Sequence, residues 1–222
     1  MLEIYETKER VTADNDKAAA ETREKLKENR TFFVNLMASP GAGKTTLLKQ
    51  TITALKDTYR IGVMEADVDS AVDAAEIEKT GVRVIQLHSG GLCHMDADMT
   101  QRGLDKLNVK GLDLVFLENI GNLVCPAEFD VGSQIRAMIL SVPEGDDKPL
   151  KYPLMFKVSD VVLVNKIDAL PVFDFDKERF EKNVRTRNEK APVIYLSALT
   201  GENCEAWIAY LKEAIENWRQ SA

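Results

Sequence analysis

The chain has 222 residues, 45% apolar and 29% charged, with a formal net charge of −7, a balance that suits one soluble globular domain with a full core. The acidic surplus argues against general nucleic-acid binding, no apolar run approaches the ~20 residues that span a bilayer, and the charged start Met1–Arg10 lacks a signal-peptide core. The three cysteines, Cys93, Cys125 and Cys204, have no disulfide-scaffold spacing and point to a reducing cytoplasm. Residues 15–29 are rich in Ala, Glu and Lys, without Gly or Pro, and predict a helix that the first dozen residues either extend or fray from.

Strand-like apolar runs then appear at 32–37, 61–64, 82–87, 112–117, 137–142, 161–164 and 193–196. Helical patterns occupy 44–56, 72–79, 97–107, 176–188 and 205–218. The runs are short and apolar on both alternations, as buried parallel strands are. The segment 143–153 reads as a loop from its Pro, Gly and charges. This alternation predicts a three-layer α/β fold, a mainly parallel sheet flanked by helices, with ligands at the carboxyl ends of the strands. The expected division is an N-terminal helical extension, 1–30, and a nucleotide-binding domain, 31–222.

The stretch Ala38-Ser39-Pro40-Gly41-Ala42-Gly43-Lys44-Thr45-Thr46 lies between a predicted strand and a predicted helix. That order makes a phosphate-binding loop, whose backbone N–H groups and helix N-terminus attract phosphate. Lys44 is expected to reach the β- and γ-phosphates, and the Thr45 hydroxyl to ligate Mg²⁺. Ala38 stands where the usual pattern has glycine. Asn165-Lys166-Ile167-Asp168 closes a later strand and selects guanine: the Asp168 carboxylate matches the N1–H and N2–H donors, which adenine lacks. Asn165 would brace the loops and the Lys166 stem would cover the base. Ser197-Ala198-Leu199 follows the last predicted strand and resembles a further guanine-contacting loop of GTPases.

Two acidic strand ends, Asp67 and Glu118, complete the expected magnesium ligands with Thr45. Asp67 is also the expected positioner of the attacking water, and Asp69 an expected helix cap. Glu118-Asn119-Ile120-Gly121 occupies the place of a γ-phosphate sensor, with the Gly121 N–H as donor. Cys93-His94 and Cys125 follow predicted strands and share the ligand-binding edge. Their thiolates and imidazole suit Zn²⁺ or Ni²⁺, although three ligands leave a tetrahedral site open to water or a second subunit. By composition alone, a buried cysteine and a surface histidine are the favoured reading.

Together, the phosphate loop, Cys93-His94-Met95-Asp96, the blocks 118–126 and 144–153, and Asn165–Asp168 resemble the HypB family, over roughly residues 30–215. That family comprises GTPases that assist nickel insertion into nickel–iron hydrogenase. The resemblance implies a P-loop fold of the SIMIBI class, slow GTP hydrolysis and a GTP-bound homodimer. It also implies an interfacial metal site of Cys93, His94 and Cys125, with Asp96 as an accessory. Lys151 matches a lysine that reaches the neighbouring subunit's nucleotide. A nickel-insertion partner and the hydrogenase large subunit are the implied partners. Gly91 departs from the family's common lysine, and the Cys-rich or His-rich N-terminal nickel motifs of some members are missing from this sequence. Cys204 matches no family motif and reads as a small residue near a helix start. Delivery of nickel to urease, and metal storage beside a merely structural nucleotide site, are the alternative readings.

Overall fold

The computed structural model describes residues 8–221; the first seven residues of the expected N-terminal extension lie outside them. The chain runs α1 (Lys8–Glu28), β1 (Phe32–Ala38), α2 (Lys44–Leu55), β2 (Ile61–Asp67), α3 (Val72–Glu78), β3 (Arg83–His88), α4 (Ala97–Leu107) and β4 (Leu114–Glu118). It continues with α5 (Cys125–Glu128), β5 (Ile135–Ser141), α6 (Lys148–Lys151), α7 (Pro153–Val158), β6 (Val161–Asn165), α8 (Lys177–Arg185), β7 (Val193–Tyr195) and α9 (Cys204–Ser221). Among the described residues, seven strands form one parallel sheet, in the order β3-β2-β4-β1-β5-β6-β7.

Alternation along β1 explains the three layers. Phe32, Val34 and Leu36 pack with Leu47, Leu48 and Ile52 of α2 and Trp207, Leu211 and Ile215 of α9. The next residues of the strand turn to the opposite face: Phe33 joins Leu26 of α1 and Leu104 of α4, and Met37 joins Phe156 and Phe180 of α7 and α8. A side-chain period of two buries both faces, which is why the strand reads as apolar on both alternations, with Asn35 its one polar residue. Helix α1 packs on the body: Thr22 donates to Gln101 at 3.1 Å, and Ala19 and Leu26 are buried.

Three local expectations change. Strand β5 begins two residues early, because Arg136 interrupts the apolar run while its amide donates to Asp160. The segment 143–153 is largely helical, with a 3-10 turn at Val142–Glu144 followed by α6. Glu144 caps that turn through the Ser141 amide and hydroxyl, both at 2.7 Å. Asp69 does not cap α3, whose cap residue is Ala71; Asp67 instead accepts the amides of Asp69 and Ser70 at 3.0 and 2.8 Å.

Asp146 anchors the ordered 143–153 segment. It is 4% exposed and accepts the Asp176 amide at 2.8 Å and the Arg179 guanidinium at 2.9 and 2.6 Å. Burial raises its carboxyl, but Arg179 and the amide outweigh it and hold the group below its ordinary range. Asp146→Ala is expected to lower stability by about 1–2 kcal/mol near neutral pH, because it removes the charge-assisted bonds that the buried carboxylate accepts from the Asp176 amide and from the half-exposed Arg179 guanidinium. The native carboxyl is depressed, so its contribution is present above the unfolded pKa and disappears as pH falls through the folded value. Thermal melts of wild type and variant should therefore differ most at neutral pH and converge in acid.

Candidate functional site

The phosphate loop leaves the end of β1 and enters α2 at Gly43, which has φ 99°. A Cβ there would lie 2.4 Å from Asn165 Nδ2, so both backbone and space require glycine. Ala38 stays fully buried as the last residue of β1, where its small side chain is accommodated. Asn165 locks two loops together: its amide donates to Ala42 O at 2.8 Å, and its Oδ1 accepts the Ala198 amide at 2.9 Å. Lys166 Nζ donates to Gly41 O at 2.6 Å, laying its stem along the phosphate loop. The Ser197 hydroxyl donates to Asp168 at 2.5 Å. Thr46, Gln50, Ala198 and Leu199 line one cleft beside α2. The two predicted base-side segments, 165–168 and 197–199, are therefore held together and against the phosphate loop.

On the other flank, the Thr45 hydroxyl donates to Glu118 Oε1 at 2.7 Å. Glu118 is 2% exposed, and burial pushes its carboxyl up to about 7, opposed by the Lys44 charge and the Thr45 bond. Its second oxygen is buried without a hydrogen-bond partner. Hard oxygen ligands, one of them orphaned, beside a phosphate loop fit Mg²⁺. Asp67 lies at the end of the neighbouring strand, its carboxyl held low by the amides of Asp69 and Ser70. A Cβ on Gly121 would meet backbone atoms of Pro40 at 3.0 Å, so the segment after Glu118 rests on the phosphate loop.

That same segment leads to Cys125. Its sulfur lies 2.8 Å from Cys93 Sγ, and the ligand atoms of Cys93, His94 and Cys125 all fall within 4.8 Å of one another. Asn122 braces both loops, donating to Cys93 O at 3.4 Å and accepting the Val124 amide at 2.7 Å. The His94 ring stacks on Phe129 with centroids 3.9 Å apart, and burial lowers its pKa against the pull of Asp96 and Glu128. It is thus biased toward the neutral form that binds metal. The Cys125 thiol is raised by its bond to Cys93 and by burial. Gly91 sits at φ 95°, a conformation that strains lysine.

Asp96 does not join this cluster. Its carboxylate accepts the Met99 amide at 2.7 Å and caps α4. Lys151 ends α6, exposed and paired with Asp147 at 2.5 Å, and that partner raises its pKa. It shares a cleft with Leu123 and Val124, next to Cys125. Cys204 opens α9, half-buried, with its thiol 3.5 Å from Ser197 O.

Two contributors carry no motif. Asn15 of α1 donates to Asp130 O and accepts the Ala97 amide, both at 2.9 Å, tying together the chain just after each cysteine-bearing loop. Glu65 of β2 is 2% exposed and lies in register with Glu118. Burial pushes its carboxyl up to about 8, with the Gln86 amide opposing and the charges of Glu118, Asp67 and Asp73 adding to the rise. An acidic residue interrupting an apolar run was the available signal for Glu65; Asn15, inside a polar helix, gave none.

Residues 32–195 match the family model described as CobW/HypB/UreG, nucleotide-binding domain. The chain is 42% identical over 209 residues to hydrogenase maturation factor HypB of Rhizobium leguminosarum bv. viciae, covering 94% of this chain and 70% of that protein. The crystal structure of HypB from Helicobacter pylori in complex with nickel superimposes with a TM-score of 0.87 at 35% identity, over 92% of this chain and 96% of that one. The signal recognition particle receptor FtsY of Elizabethkingia anophelis shares the fold alone, with a TM-score of 0.54 at 15% identity, over 82% of this chain and 65% of that one.

Proposed function

This chain belongs to the HypB branch of the CobW/HypB/UreG family, and we propose that it is a cytoplasmic, slowly turning over GTPase that passes nickel toward nickel–iron hydrogenase. The carrying observation is one segment: Glu118 bonds Thr45 of the phosphate loop, and seven residues on Cys125 meets Cys93. A change at the γ-phosphate therefore has a short covalent route to a metal-binding sulfur, of the ordering kind that GTPase switches use. Urease delivery would use the same chemistry; the hydrogenase reading is favoured by the named relatives. Metal storage with a structural nucleotide site would leave that segment uncoupled.

In this reading the amides of Gly41–Thr46 and the Lys44 ammonium hold the phosphates. Thr45, Asp67 and Glu118 hold magnesium, which when bound neutralises phosphate charge. Asp67 orients the attacking water and Gly121 donates its N–H to the γ-phosphate. Asn165, Lys166, Asp168 and Ser197–Leu199 select guanine. Cys93, His94 and Cys125 take Ni²⁺ as cargo, or Zn²⁺ in its place, and two copies facing each other would supply the ligands that one lacks. The nickel-insertion partner and the hydrogenase large subunit would dock on the nucleotide-dependent form.

Nucleotide turnover with GTP and ATP tests the enzyme reading: slow release of phosphate from GTP, little from ATP, and none from Lys44→Ala. Equal use of both nucleotides would remove the guanine assignment, and no turnover of either would favour storage. Dimerisation has its own expected result. A GTP analogue with Mg²⁺ should double the sedimenting mass and GDP should relax it, because a cationic Lys151 attracts a second subunit's nucleotide only while it is present. A mass identical in the apo, GDP and analogue states would count against the switch. A Lys151→Ala dimer of unchanged affinity would clear that residue of the role.

A further inference from the structure

Three adjacent strands carry a row of oxygen-bearing side chains behind the phosphate loop. The register pairs Gln86 of β3 with Glu65 of β2, and Glu65 with Glu118 of β4. Glu65 follows Val63 by two residues and Glu118 follows Phe116 by two, so each shares the face that packs on α2. Glu118 reaches Thr45 at the start of that helix. Gln86 Oε1, Glu65 Oε2 and Glu118 Oε2 are buried acceptors with no hydrogen-bond donor. All three orphans are oxygens; a single proton on Glu65 would satisfy one of them and leave the rest of the row without a donor or a positive charge.

The nearby protein charges do not meet that need. Lys44 acts on Glu118, whereas Glu65 is surrounded by the carboxylates of Glu118, Asp67 and Asp73. The Gln86 amide is directed in part to backbone, donating to Glu65 O at 3.2 Å. A buried carboxylate oxygen without a partner is costly, and two side by side more so. Mg²⁺ offers charge and, through the waters it retains, hydrogen-bond donors.

We infer that Glu65 is a positioning residue of the magnesium cradle, a carboxylate behind Glu118 that accepts from the cation's water shell. This deepens the nucleotide reading and rests on it. The competing role is a neutral buried acid that only fills space next to Gln86. Glu65→Gln separates the two, since it keeps the shape and removes the charge.

The Mg²⁺ dependence of a fluorescent GTP analogue should be titrated for wild type, Glu65→Gln and Glu65→Asp, alongside binding in chelator and melts of the nucleotide-free protein. The glutamine variant should need about tenfold more Mg²⁺ or beyond, the size seen for outer ligand-sphere changes. Its chelator affinity should match wild type, and its nucleotide-free melting temperature should be equal or higher. The aspartate variant, which keeps the charge, should stay within a few-fold of wild type in its Mg²⁺ requirement. An unchanged Mg²⁺ requirement in Glu65→Gln overturns the assignment. So does a loss of affinity that is equal with and without Mg²⁺, or a shared defect in both variants, because each marks a packing role. If wild type itself binds the analogue without regard to Mg²⁺, the assignment of magnesium to Thr45, Asp67 and Glu118 fails, and the Glu65 role fails with it; if wild type does not bind the analogue at all, the nucleotide reading fails instead.

Discussion

Cys125→Ala is expected to weaken nickel and zinc binding by about two orders of magnitude or more, beyond the 10–100-fold typical of residues that merely support a ligand. The variant leaves Cys93 and His94, adjacent in sequence, and removes the sulfur that brings the second loop to the site. Both thiols must lose protons to bind, and the Cys125 thiol is raised by Cys93 and burial, so wild-type uptake should release protons and weaken as pH falls. Metal titrations in GDP and in a non-hydrolysable GTP analogue add the coupling. Nucleotide should change metal affinity, and metal should change nucleotide affinity by the same factor. The residual affinity of Cys125→Ala should ignore the nucleotide. One common metal affinity for both proteins in both nucleotides would make Cys125 a packing residue and sink the proposed transfer mechanism.

Asp168→Asn should lower GTP affinity by about 2–3 kcal/mol, roughly a hundredfold, the cost of losing a charge-assisted double contact to the base. The surroundings favour a clean effect. Asn165 holds the loops through Ala42 and Ala198, and Lys166 through Gly41, so the frame does not depend on Asp168. The Ser197 hydroxyl that bonds Asp168 can equally serve an amide oxygen. ATP binding should stay as weak as in wild type. Xanthosine triphosphate, with oxygen where guanine has its amino group, should gain, because asparagine brings a donor to that position. Calorimetry with the three nucleotides decides it. An undiminished GTP affinity would show that the base sits elsewhere.

What the sequence alone determined is what lies in neighbouring residues. Phe32–Met37, the glycine turn and the Leu47-bearing helix are consecutive, so strand, phosphate loop and helix are legible together. Asn165–Asp168 is compact for the same reason, and two-sided burial left its mark in strands apolar on both alternations. The proposed metal ligands were legible only through family resemblance, since composition could not join a Cys-His pair to a cysteine 31 residues away. Tertiary structure decided what depends on the partner strand. Glu65 looks like one polar residue in β2, and only its pairing with Glu118, 53 residues later, makes it half of a buried acidic pair. Asp96 fits a ligand or a cap until the Met99 amide takes its carboxylate. The segment 143–153 looks like a loop until Arg179 of α8 closes on Asp146. Periodicity reports the backbone's own preferences, whereas the burial and charge around a side chain are set by segments that only the folded sheet brings alongside.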